Sequence, residues 1–206
     1  MKAKFWLILG LIAAVLASVP AALWASACQA EIGEWAQFKK APSAEELSGI
    51  KQLPVATAKL FSGPRGIVNA KADPNQLAGN YKVRPVWTNS RLEFKFYRNG
   101  RAVGGLLLER PRLWTFFQAE SKPLRTGDGT PQMYKEIRLT GKLQAAGALA
   151  LRNAAGAKFR LIFQGAGGHC FEAGDFTRWV LMVYGPDPEN PAGEQAASYY
   201  SIRGSL

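Results

Sequence analysis

Residues 81–108 read YKVRPVWTNSRLEFKFYRNGRAVGGLLL, and their reading decides the fold class. Tyr81, Val83 and Trp87 alternate with Lys82 and Arg84; Leu92, Phe94 and Phe96 then alternate with Glu93 and Lys95. A spacing of two sends apolar side chains to one face of an extended strand and charged ones to the other. Asn99-Gly100 tolerates the positive φ values of a two-residue hairpin turn, so Ala102 to Leu108 is expected to return as the partner strand.

The same pattern continues downstream. Leu113 to Phe117 fits a buried strand, and Ile137, Leu139 and Leu143 alternate with Arg138, Thr140 and Lys142. Leu149 and Leu151 lead through an Asn153-Ala-Ala-Gly156 turn to Phe159, Leu161 and Phe163. Arg178 to Tyr184 is apolar on both faces, as a central strand would be, and Ser198 to Arg203 is a final strand. Upstream, Val55 to Phe61 and Gly66 to Lys71 are weaker strand patterns. Eight to ten strands in a largely sequential meander predict a mainly β fold, one antiparallel barrel or sandwich over residues 55–206. Gly79-Asn80-Tyr81 resembles the Gly-x-Trp that opens a lipocalin barrel, a likeness of one glycine and one aromatic residue that assigns no family.

Residues 28–54 read as short helices beside that domain. Ile32, Trp35 and Phe38 recur every three residues, and Ser43-Ala-Glu-Glu46 has the form of a capping box. Leu47 and Ile50 share a face, and Pro54 ends the helix.

The first residues carry an export signal over 1–27: Lys2 and Lys4, an apolar run from Phe5 to Leu23, then small residues before Cys28. Ala25-Ser26-Ala27 is an A-x-A site, which makes Cys28 the first mature residue. The same stretch resembles the lipobox of bacterial lipoproteins, whose cysteine is lipidated, although Ala25 stands where Leu is usual. A third outcome is an uncleaved anchor, since the run is long enough to cross a hydrocarbon core of ~30 Å. The expected location is therefore exported, either periplasmic or held to a membrane facing the periplasm, the outer membrane included. Lipidation of Cys28 excludes a Cys28 to Cys170 disulfide, the one intrachain bridge that two cysteines allow.

Catalytic and metal signatures are weak. The loop from Gly165 to Glu172 gathers His169, Cys170 and Glu172 as a candidate functional site, but adjacent residues of an extended chain point apart, so His169 is poorly placed to activate Cys170. One His and one Cys do not make a zinc site, and no cofactor is expected. Acids such as Glu93, Glu109, Glu136 and Asp175 show no spacing that selects a catalytic pair. The Gly165-x-Gly-Gly168 run precedes no helix, which removes the phosphate-loop reading.

Charge is the stronger signal. The chain carries 26 Lys and Arg against 15 Asp and Glu, a net charge of +11, and only Lys2 and Lys4 precede Cys28. Lys82, Arg84, Lys95, Arg138, Lys142, Lys158 and Arg160 all alternate with core residues, so neighbouring strands would bring them onto the outer face of one curved sheet. Anionic glycolipid or acidic glycan fits such a face. Nucleic acid is disfavoured, because Phe94, Phe96, Phe159 and Phe163 fall on the core side and cannot stack on bases. The expectation is a non-catalytic envelope binding module for anionic material or, inside a barrel, an apolar ligand. The alternatives are an envelope enzyme using Cys170 or a carboxylate pair, and an inhibitor or immunity protein of an envelope enzyme.

Overall fold

The computed structural model describes residues 35–62, 77–120, 133–151, 156–167, 171–186 and 197–206. The signal segment, Cys28, His169, Cys170 and the 66–71 strand pattern lie outside them. In chain order the elements are β1 Trp35–Lys40, α1 Ala44–Gln52, β2 Thr57–Ser62, β3 Gly79–Trp87, β4 Arg91–Arg98, β5 Arg101–Glu109, β6 Trp114–Glu120, β7 Met133–Gly147, β8 Lys158–Gly167, β9 Phe176–Gly185 and β10 Ala197–Ser205.

Eight strands close into an antiparallel barrel in the order β2, β3, β4, β5, β7, β8, β9, β10, with β10 returning to pair with β2. The hairpin between β4 and β5 turns at Asn99 and Gly100, whose φ angles of 51° and 77° suit the right-handed twist of the strands. Phe94, Phe96, Leu106, Phe159, Leu161, Phe163, Trp179 and Leu181 point inward and are inaccessible. β4 and β9 stand opposite each other in the eight-strand order, and Phe94 stacks on Trp179 with ring centroids 5.6 Å apart. Rings from opposite walls thus meet across the axis, filling the interior in which an apolar ligand was one expectation. Apolar residues inside and charges outside is the inverse of a membrane-spanning barrel. Among the described residues no helix is long and apolar enough to cross a membrane.

β7, at 15 residues, is too long for one partner on each side. β8 follows one edge from Met133 to Lys142. On the other edge β6 pairs with Met133 to Arg138 and β5 with Leu143 to Gly147, so the sheet forks. β6 carries β1 on its far side, and the two make a wing that leaves the barrel at β7.

The wing corrects the helical reading of Trp35 and Phe38. Residues 35–40 are a strand because Phe38 stacks on Phe116 of β6, centroids 5.5 Å apart, on one face, and Trp35 on Phe117, 5.8 Å, on the other. Tertiary pairing overrides a three-residue spacing that spans less than two turns of helix. The capping box is present as expected. Ser43 Oγ accepts from the Glu46 backbone at 3.1 Å, and Glu46 accepts from the Ser43 backbone and from Lys40 Nζ, each at 2.7 Å. α1, the one α-helix of eight or more residues among the described elements, buries Ile50 and packs Gly49 against the Phe171 ring.

A short 3-10 turn, Ala173–Asp175, precedes β9 and rests on β8. A side chain at Gly165 would collide with the Asp175 carbonyl, and one at Gly167 with its carboxylate. These glycines therefore seat Asp175, which forms an ion pair with Lys135, a lysine only 2% exposed on the inner face of β7. A buried ammonium needs such a partner.

Candidate functional site

Outer-face residues of β10, β2, β3 and β4 build a strongly cationic wall of the barrel. On β2, Ala58 and Leu60 are buried, which turns Thr57, Lys59 and Phe61 outward; on β10, Ile202 is buried and Arg203 exposed. The antiparallel register then sets Arg203 opposite Lys59, Lys59 opposite Asn80, Lys82 opposite Tyr97, and Arg84 opposite Lys95. Thr57, Lys59, Asn80, Lys82, Tyr97 and Arg203 line an open cleft of about 690 Å³ with no acid in its walls. Glu93 is the nearby carboxylate, 3.6 Å from Lys95.

Two aromatic rings stand among these cations. Phe61, 38% exposed, lies under Lys59 Nζ at 5.4 Å and the Arg203 guanidinium at 5.2 Å; Arg84 sits 5.7 Å from the Tyr97 ring. Phe94, Phe96, Phe159 and Phe163 face the core as expected, and Phe61 and Tyr97 are the rings that stand outside it. Arg98 closes the end of the cleft by donating to the carbonyls of Leu77 and Ala78 and lying 4.6 Å over the Tyr81 ring. Burial raises the pKa of that tyrosine, while the charge of Arg98 and its hydrogen bond oppose the shift.

Six of the seven cations anticipated as one face divide into two groups. Lys82, Arg84 and Lys95 belong to the wall just described. Lys142, Lys158 and Arg160 lie on β7 and β8, across the barrel from β2 and β3, because β4 and β5 intervene on one side and β9 and β10 on the other. Lys142 stands opposite Lys158 and also lines a cleft of about 940 Å³ with Arg91, Arg110, Arg112 and Glu109. Arg138 serves neither group. It bonds to Glu136 and lies 5.1 Å over the Phe117 ring.

Glu136 is the centre of a separate polar cluster on the outer face of β7 and β8. Burial pushes its carboxyl up, but hydrogen bonds from Tyr134, Gln164 and Arg138 outweigh burial and hold it below the usual carboxylate range. Burial, with Glu136 alongside, pushes the Tyr134 hydroxyl up to about 12. Every polar partner here is already engaged, which makes the cluster a strut rather than a reactive centre.

Glu172 is exposed at the start of the 3-10 turn; its proposed companions His169 and Cys170 lie outside the described residues. Among the described residues no three His, Cys, Asp or Glu side chains gather. Lys59, Arg203, Phe61 and Tyr97 were not singled out from sequence. The alternation of Ala58 with Lys59, and of Ile202 with Arg203, carried the signal, but barrel closure alone makes them neighbours. Comparison with protein-family models, with curated proteins and with solved structures finds no match.

Proposed function

We propose that the protein is an exported, membrane-held binding module whose β10, β2, β3 and β4 wall engages anionic polymer of the cell envelope, without covalent chemistry. The observation that supports this most is register. Among the described residues the ladders of this wall set cation against cation at two positions, Arg203 with Lys59 and Arg84 with Lys95, and set cation against acid at none. Like charges directly opposite each other destabilise a sheet, by about 0.2–1 kcal/mol per pair. A wall that keeps such pairs together, around a cleft with no acid in it, is suited to an anion that neutralises several at once. The membrane-held part rests on the apolar run and Cys28.

The test is a double charge reversal, Lys59→Glu with Lys95→Glu, in the full chain. Each change turns a like-charged pair into an opposite one, which offsets the exposed contact with Glu93 that Lys95→Glu gives up, so thermal stability should hold. Binding to inorganic polyphosphate and to polygalacturonate should fall steeply, and the salt dependence of the wild type should shrink with it. The two polymers separate phosphate from carboxylate recognition. Undiminished binding by the reversed variant would refute the proposal, as would preference for a single-stranded oligonucleotide over both polymers.

A further inference from the structure

We infer that the outer face of the β1 and β6 wing lies against the lipid bilayer, with Trp35 and Tyr134 at headgroup level. The inference rests on the reading that the chain is held at or before Cys28. Trp35 is seven residues beyond that cysteine, and seven residues reach at most about 25 Å even when fully extended. Whether a lipid on Cys28 or the uncleaved run from Phe5 holds the chain, β1 cannot stand far from the membrane surface.

The composition of the face suits that position. Trp35 is 66% exposed, the largest exposure of any large apolar side chain among the described residues, and Tyr134 is 37% exposed. Trp35 stacks on Phe117, and Phe117 meets Tyr134 edge to face with centroids 6.2 Å apart, so three rings cross three strands in a row. Lys39 and Arg178 are exposed on the same side, and the one carboxylate beneath the rings, Glu136, is already bonded to Arg138. Indole and phenol rings prefer the boundary between headgroups and acyl chains, and flanking cations attract anionic headgroups. The like-charged pair of Lys142 and Lys158, on the outer face of β7 and β8, extends the cationic margin.

Full-length protein reconstituted into phosphatidylcholine vesicles, which lack net charge and so do not engage the opposite wall, tests this. Flotation reports anchoring. The emission that Trp35→Phe removes, obtained as the difference between wild type and variant, reports Trp35 alone. That difference emission should be lost when brominated phosphatidylcholine replaces part of the lipid, and should resist aqueous acrylamide. Loss to acrylamide without loss to brominated lipid would overturn the inference while leaving anchoring intact. Protection from both quenchers would place protein, not lipid, on this face and overturn it equally. A chain that does not float would overturn the anchoring reading and this one together, with polymer binding still measurable in solution.

Discussion

The barrel wall at β3 and β4 and the wing at β1 and β6 are both antiparallel ladders, yet they use their two faces differently. In the wall, Val83, Leu92, Phe94 and Phe96 face inward while Lys82, Arg84 and Lys95 face water. In the wing both faces carry rings: Phe38 and Phe116 on the core side, Trp35 and Phe117 on the other. A wall with one apolar face is complete once the barrel closes over it. A wing with two has one face left to account for after the fold is finished.

Deleting a ring from each region tests this most severely. Phe94→Ala removes a side chain that touches the opposite wall and should cost about 3–5 kcal/mol in denaturant unfolding. Trp35→Ala, two-thirds exposed, should change stability by no more than about 0.5 kcal/mol. Comparable losses would mean that the wing is as integral as the wall. The junction comes next. Asp175→Ala leaves Lys135 buried without its partner, a loss of about 3 kcal/mol, whereas Lys135→Met combined with Asp175→Leu should recover most of it. Failure of the double variant to recover would show that the pair positions the 3-10 turn rather than merely neutralising a buried charge.

Smaller effects sharpen the contrast. Gly100→Ala forces a side chain into a φ of 77° and should cost about 1–2 kcal/mol. Ser43→Ala, which removes one arm of the capping box of α1, should cost about 1 kcal/mol. The smallest is a pH effect at the foot of the wing. Glu136 has a lowered folded pKa, so its contribution is present above the ordinary carboxylate range and is lost as pH falls through the lowered value. Tyr134 is raised to about 12, so its contribution is present below the ordinary phenol value and is lost as pH climbs through that raised value. Denaturation midpoints against pH should show Glu136→Gln flattening the acid flank and Tyr134→Phe part of the alkaline one.

The wall was legible because each of its signals is local: a period of two and a turn pair that accepts positive φ, just as the start of α1 was legible from a capping box within four residues. Of the wing, β6 was legible as the apolar run Leu113 to Phe117, but β1 was not, since two apolar faces erase the period and the partner of Trp35 lies at Ala119. The fork at β7 was hidden for a related reason. Alternation from Ile137 to Leu143 announces a strand but not that two partners divide one edge. Of the candidate site, Lys82, Arg84 and Lys95 could be grouped from one hairpin, whereas joining them to Lys59 and Arg203 requires knowing that β2 meets β10.

That meeting also orders events in time. Leu60 of β2 pairs with Ile202 of β10, a contact between strands far apart in sequence, so the seam of the barrel waits until β10 has docked. Until then β2 and β9 each present an open edge, and a barrel still open there is a template for pairing with its neighbours. Folding should accordingly be slow and sensitive to protein concentration. Lys59, on the outer face of the waiting strand, repels a second copy during that interval.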